Sequence, residues 1–515
     1  MSLGKSEQKP TFGIWSAISL GWLTVNVFGG MSFIIFVGLS AGGLPALLYG
    51  FIGSSIGAIC IVLSLAQCAS RFSTAGGAYH YACFLIPEPY RRQIAYPLGW
   101  LNYLGWIFTH AGCCSIVATL VLGFANLCNP DYDVSTRWQL FLVYLAIVTT
   151  CWAVNLWGLK GIPTLEVIGS YATIFGFIAY SITLLVMAPK ANPRFVFVDV
   201  TNETGYSSSA MAVLLGLFSS FGTLMGLDGP AHLAEEIPEP KRHLPRIMLI
   251  VILSQTVIGV IWIIVLGFSI TDITTVVNTK TGVPILELIR SATGSNTAAI
   301  IFCLLLILNN GTSALGSAVM MSRQGYAFAR DGGLFWNHKL IELSPGSHLP
   351  FWSINLPYFL VGLVGVIYLF SDAAFNAIVG SQTVCMIISF GFPATILLAT
   401  KSNLLPTINR WNFRIFSKPI YIISVGYCVL VVIVAFIPQS QPLTTLNMNY
   451  TILVMGAFVF AMGLAWFTEG RKVFHPPVSD EVFGAGVIQG EVVEEGQGKR
   501  QGKRLVAEVS DHKKN

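Results

Sequence analysis

Charge is what this chain of 515 residues has least of. Asp, Glu, Lys and Arg together make up 10% of it, against about 25% in a soluble domain. That deficit excludes a string of soluble domains. The net charge of +5 says little by itself, and no nucleic-acid partner is expected. The ten cysteines show neither metal-ligand spacing nor a disulfide framework. Seven of them (Cys60, Cys113, Cys114, Cys151, Cys303, Cys385 and Cys428) sit inside apolar runs as small hydrophobes. No metal and no cofactor are expected. A nucleophile–base set, a P-loop and a dinucleotide fingerprint are all missing, which argues against an enzyme. Repeated selectivity-filter loops are missing too, which argues against a channel. The polar start MSLGKSEQKP is followed by no A-x-A-like site, so no cleaved signal peptide is expected.

What the chain has instead is apolar sequence in blocks. Hydrophobic residues are 54% and mean hydropathy is +0.70. The blocks run to about 20 residues or more, enough to cross roughly 30 Å of hydrocarbon as helices. A helix satisfies its own backbone in lipid, so blocks of this length read as helices. Twelve segments are predicted: 12–39, 44–68, 95–125, 138–158, 162–188, 210–234, 246–270, 297–321, 351–371, 374–398, 419–437 and 449–468. The chain divides into an amino tail (1–11), a twelve-helix domain (12–470) and a polar carboxyl tail (471–515) expected to be disordered. The fold class is therefore an all-α polytopic membrane protein embedded in a lipid bilayer.

An even number of spans puts both termini on one side. With that side cytoplasmic, the inner connections carry fourteen Lys and Arg and the outer ones five. The positive-inside rule selects this orientation. The sequons at Asn202 and Asn449 then fall outside as candidate glycosylation sites, while Asn310 falls within the eighth span.

Two spans are interrupted. The middle of the first holds Gly21, Asn26, Gly29 and Gly30. The middle of the sixth holds Ser220, Gly222, Gly226, Asp228, Gly229 and Pro230. They stand five spans apart and so run in opposite directions. This is the sequence pointer to a 5+5 inverted repeat with broken helices 1 and 6. Unwound backbone is tolerated in a bilayer only where it lines a cavity or binds something. Half-helix ends favour ions, so a zwitterion or an amine would find partners there. Glycine also serves close helix packing, the plainer role for any one of these residues.

Five stretches in order, SLAQCASRFSTAGGAYHYA, FVFVDVTNETGY, GLDGPAHLAEEIPEPKRHLP, TGVPILELI and YAFARDGGLF, resemble the fungal amino acid, choline and GABA permeases of the amino acid–polyamine–organocation superfamily. The resemblance runs from about residue 12 to 470. It implies a LeuT-like fold of twelve spans and proton symport of a small amino acid or amine by alternating access. A non-transporting nutrient sensor and a transporter of a fungal secondary metabolite are the alternatives. The chain departs from the pattern at Gln67, where the family has Glu, at Ser73, where it has Pro, and at Pro45, displaced from its usual place. It has Val27-Phe28 where choline-type members carry Ser-Trp; Phe28 is a weaker cation–π partner than Trp.

Substrate-binding candidates are Asn26, Phe28, Gly29 and Gly30 in the first break and Phe221, Gly222, Thr223 and Gly226 in the second, with Trp106 as a further aromatic wall. Asp228 is the foremost proton-coupling candidate: intramembrane charge is costly and usually functional. The resemblance implies the same, since related bacterial antiporters place a proposed proton sensor two residues after this glycine. A structural ion pair with Lys241 or Arg242 is the other reading. The fifth span lacks the lysine that some proton-coupled relatives use. Glu166 is then the fallback coupling group, or simply an interfacial acid. His110 suits a proton relay or a helix–helix hydrogen bond. Asn309, Asn310, Thr312 and Ser313 either line a pathway or bridge helices. Glu235 and Glu236 are expected to pair with other inner connections as a latch.

Overall fold

The computed structural model describes residues 12–271, 276, 279–344, 350–400, 411–444 and 448–477. Most of the two tails, 1–11 and 478–515, lies outside the described residues. Among the described residues, eleven helices are long and apolar enough to cross a membrane. The sixth span is too interrupted to be counted with them: it consists of the helix Ser209–Gly222 and the short 3-10 turn Gly229–Leu233. Among the described residues there is no strand, only one isolated bridge between Ala41 and Asn202.

The spans are Ile14–Val25 with Val27–Leu39 (span 1), Gly43–Arg71 (2), Glu88–Cys128 (3), Arg137–Trp157 (4), Ile162–Met187 (5), the broken span 6, Pro240–Ser269 (7), Asn296–Arg330 (8), Phe351–Val366 (9), Asp372–Ala399 (10), Ser417–Ala435 (11) and Thr451–Ala465 (12). Their order and number match the sequence reading. Three run past their expected ends. Span 8 continues through MMSRQGYAFAR, and span 3 begins at Glu88. Both extensions carry arginines that lower local hydropathy while remaining good helix formers. Span 7 starts six residues early, with Pro240 at its first turn, where a missing N–H costs nothing.

Helix pairing follows the repeat. Span 2 packs on span 7, 3 on 8, 4 on 9, and span 1 on the 3-10 turn of span 6. Spans 1 to 4 thus meet their counterparts five spans on, as a pseudo-two-fold axis through the bundle brings about. The outside is apolar: Phe175, Ile182, Val257, Phe359 and Phe460 are exposed, as helices facing lipid demand, while Asn102, His110, Asn155, Glu166, Asp228 and Gln324 are buried.

Connections expected on one side meet one another. Gly42 donates to the Thr201 carbonyl, and Gln441 to that of Thr204. On the opposite face, which we call the basic face, Arg92 donates to the carbonyls of Arg471 and Phe474, and His475 to that of Asp331. Span 8, 35 residues long, measures about 50 Å. It therefore overshoots roughly 30 Å of hydrocarbon and carries Arg323 and Arg330 onto the basic face.

Candidate functional site

The first break is a single residue. Asn26 adopts φ 45°, ψ 53°, the left-handed conformation that asparagine tolerates best among residues with a Cβ. Its side chain makes use of the kink. Oδ1 accepts from the Gly29 N–H at 3.2 Å, and Nδ2 donates to Asn310 Oδ1 at 3.1 Å. Span 7 supplies a splint. Gln255 accepts from the Val27 N–H at 3.1 Å and donates to the Trp22 carbonyl. One amide thus bridges both sides of the kink. Replacing Gln255 with Leu strands the buried Val27 N–H, while the Trp22 carbonyl keeps the Asn26 N–H. The variant is expected to lose roughly 1–3 kcal/mol of stability, read as an earlier thermal melt of the purified protein.

The second break is longer. The chain leaves the helix after Gly222, passes Gly226 at φ 75°, and re-enters a 3-10 turn with Asp228 at its cap. The two breaks lie against each other. A Cβ on Gly30 would sit 3.6 Å from Thr223 Cγ2, and one on Gly226 3.1 Å from Thr24 Cγ2. Gly21 abuts Pro230 in the same way. Gly29 admits no side chain, since Asn26 Nδ2 occupies that space, with Asn309 Oδ1 beside it.

Not every candidate arrives at this meeting point. Asn26, Gly29, Gly30, Thr223 and Gly226 do, and Gly222 faces Ile34 of span 1. Phe28 instead turns toward Trp262 and Phe177, with ring centroids 4.8 and 6.0 Å away. Phe221 packs edge-on against Tyr427 of span 11. The ring that does stand over the second break is Trp106, whose Cη2 lies 3.5 Å from where a Cβ on Gly226 or Gly229 would be. The polar run of span 8 bridges helices: Asn310 meets Asn26, and Asn309 donates to Thr173 Oγ1 of span 5 at 2.8 Å.

Asp228 is fully buried. Its carboxylate is held by Asn102 Nδ2 at 2.9 Å and faces His232 Nε2 at 3.2 Å, with neither Lys241 nor Arg242 among these partners. His232 Nδ1 lies 2.7 Å from the Ala75 carbonyl, an acceptor only, so Nδ1 bears a proton. Nε2 then has one position for two neighbours. Unprotonated, it accepts from Trp106 Nε1–H at 2.9 Å; protonated, it donates to Asp228. Sequence reasoning passed over both His232 and Gln255. Histidine two residues after Gly-Pro was the available signal for the first; an amide in the middle of an otherwise apolar helix was the signal for the second.

Glu166 is fully buried rather than interfacial. It stands across Gly316 from Thr24: a Cβ on Gly316 would lie 3.1 Å from Thr24 Oγ1 and 3.5 Å from Glu166 Oε1. Neither of its oxygens has a hydrogen-bond partner among the described residues, and the same holds for Asp228 Oδ1 and Asn309 Oδ1. Four unmatched acceptor atoms thus stand around the two breaks.

Three of the sequence motifs converge on the basic face beneath this point. His80 of STAGGAYHYA meets Asp331 of YAFARDGGLF at 2.7 Å, and Tyr79 donates to the same oxygen at 3.1 Å. Gly77, at φ 56°, leaves the space into which His232 and Asp228 of GLDGPAHLAEE fit. The acids after that turn pair with span 8: Arg323 binds Glu236 at 2.8 and 3.3 Å, and Arg330 binds Glu235 at 3.4 Å. Gln67, where the family has Glu, is satisfied by the Trp411 carbonyl and the Tyr421 hydroxyl.

The comparisons with known proteins bear on this geometry. The sequence model described as amino acid permease matches residues 12–458. The chain belongs to the amino acid permease family. Among its relatives is a choline transporter of Saccharomyces cerevisiae, 29% identical over 480 residues, covering 92% of this chain and 84% of the relative. A 7-keto 8-aminopelargonic acid transporter of the same yeast is 25% identical, covering 88% of this permease and 90% of its own length. A polyamine transporter of that yeast is 26% identical, with 91% and 76% covered. The permease is accordingly a multi-pass membrane transporter rather than an enzyme.

Proposed function

We propose that this permease is a secondary active transporter that takes up a small amine-bearing solute, an amino acid, GABA or a choline-like amine, together with a proton. The observation that carries this reading is the set of buried, unmatched acceptors at the meeting of the two breaks: Asp228 Oδ1, Glu166 Oε1 and Oε2, and Asn309 Oδ1. Unmatched buried acceptors cost free energy until donors arrive. An N–H-bearing ammonium group and a proton are donors that fit, and a choline-like quaternary ammonium would answer the acids by charge. The solutes named for the three relatives also carry nitrogen, which agrees with this preference. Asn26, Gly29, Gly30, Gly222, Thr223 and Gly226 supply backbone and small polar groups to the solute, and Trp106 its aromatic wall.

Proton coupling rests on the His232 arrangement. A proton arriving at Nε2 turns that atom from acceptor to donor, so it lets go of Trp106 and takes hold of Asp228. Charge at the acid and the position of the ring over the second break are thereby linked. Glu166, on the other side of span 1, is the second proton carrier. Alternating access follows, with the basic face cytoplasmic, both termini inside, and Asn202 and Asn449 outside as glycosylation sites. The plasma membrane is the proposed site of action, with the vacuolar membrane as the alternative.

The test is uptake of labelled amino acids and amines by a transport-deficient yeast strain, at pH 5 and pH 7, with and without a protonophore. Accumulation of an amine that the protonophore collapses is expected. Uptake indifferent to it would refute coupling, and no uptake by correctly delivered protein would favour a sensor.

The paired acids on the basic face give a second expectation. Arg323–Glu236 and Arg330–Glu235 tie the end of span 6 to the end of span 8 and hold that side shut. Neutralising both acids (Glu235→Gln with Glu236→Gln) is expected to change the maximal uptake rate several-fold at equal surface amount. Unchanged kinetics would remove the latch from the mechanism.

A further inference from the structure

Spans 3 and 4 bring a histidine and two cysteines together away from the breaks. His110 and Cys114 stand four residues apart on one face of span 3, and Cys151 faces them from span 4. All three are buried, and their ligand-type atoms lie within 4.8 Å of one another. We propose that they form a binding site for a soft divalent cation of the zinc type.

The His110 ring is already set for it. Nδ1 lies 3.0 Å from the Ala314 carbonyl and 3.1 Å from Ser317 Oγ. A carbonyl only accepts, so the proton sits on Nδ1 and the lone pair on Nε2. A histidine that donates its far nitrogen to a carbonyl while its near nitrogen stays free is the usual outer support of a metal ligand. Cys114 Sγ lies 3.6 Å from Nε2 and 3.9 Å from Nδ1, beside the ring, so its side chain must turn to reach an ion on the Nε2 lone pair. Metal–sulfur and metal–nitrogen bonds of about 2.3 and 2.0–2.1 Å at tetrahedral angles place the two donors about 3.6 Å apart. Cys151 closes the set with a side-chain adjustment of about 1 Å, since two sulfurs on one such ion stand about 3.8 Å apart. Its backbone carbonyl is held by the Tyr358 hydroxyl at 3.1 Å, and the Tyr358 ring lies edge-on to His110.

Charge selects the ion. Binding releases one proton from each thiol and forms two metal–sulfur bonds and one metal–nitrogen bond. A divalent ion with two thiolates and a neutral imidazole has no net charge, the form least costly to bury in a membrane. Thiolate ligands favour soft or borderline ions over magnesium or calcium. The ion would fasten span 3 to span 4, with spans 8 and 9 providing the outer support.

The test uses the full-length protein, purified in detergent, stripped with chelator and dialysed against Cd2+ or Zn2+. About one ion per chain is expected, with a cadmium–thiolate absorption band and a raised melting temperature. Cys303→Ser, a control whose sulfur only donates to the Leu120 carbonyl, should bind like the wild type. Cys114→Ser with Cys151→Ser keeps the shape of both side chains and should lose at least 100-fold in affinity while melting normally without metal. Ser317→Ala should lose about 10-fold, as expected for outer support. Wild-type binding no tighter than the double serine variant would overturn the site. So would binding that survives in that variant but vanishes in Cys113→Ser, and in both cases the cluster is then only a thiol–imidazole hydrogen bond.

Discussion

Asp228→Asn is expected to abolish concentrative uptake while leaving the protein folded and at the cell surface. The asparagine is close to isosteric. Asn102 and His232 both face Oδ2, so an asparagine oxygen placed there still accepts from Asn102, while His232 Nε2 keeps its bond from Trp106. What is lost is the charge that a protonated His232 needs as partner. The magnitude follows from the driving force. With pH 5 outside and pH 7 inside, a proton contributes about 2.7 kcal/mol, or about 100-fold accumulation for one-to-one symport. Asp228→Asn should reduce that ratio to about one, while exchange of labelled for unlabelled substrate continues. Accumulation at the wild-type ratio would remove Asp228 from the coupling mechanism and direct attention to Glu166.

Gly226→Ala is expected to cut uptake by about 10-fold at equal surface amount. Gly226 sits at φ 75°, where a side chain costs roughly 1–2 kcal/mol. Its Cβ would lie 3.1 Å from Thr24 Cγ2 and 3.4 Å from the Thr24 carbonyl oxygen. The carbonyl belongs to the span 1 helix and cannot yield, so the breaks must separate. Each 1.4 kcal/mol of that penalty is a factor of about ten. Gly53→Ala is the comparison: it lies in span 2 with open space around the added methyl, and its uptake should not change. Equal uptake by the two variants would show that the contact between the breaks has no part in transport.

The architecture was legible because lipid leaves the chain little choice. An apolar block must be a helix, and a glycine–asparagine or glycine–aspartate interruption within one must have a reason to be there. That logic located Asn26, Gly226 and Asp228 without coordinates. It was silent on direction. Phe28 and Phe221 are one or two residues from the breaks in sequence, yet a helix turns about 100° per residue, and both rings point to other neighbours. Trp106 was named only as one aromatic among several, and nothing in the sequence set it apart as the ring over the second break. Glu166 looked interfacial because it follows a loop closely. The burial comes from Gly316 of span 8, whose missing side chain lets span 5 approach, a fact recorded some 150 residues away in the sequence. His232 and Gln255 escaped because each acts on backbone groups, Ala75, Val27 and Trp22, that no side-chain pattern announces.

The two interruptions are mechanically unequal. Gln255 clasps the first across a single residue, so the flanking half-helices transmit force almost as one rod. Among the described residues no amide clasps residues 223–228 in this way; local turns, the Asn102 bond to Asp228 and the Trp106 ring hold them. Deformation therefore concentrates in the sixth span, and a rocking movement that begins there would leave the first crossing as the fulcrum.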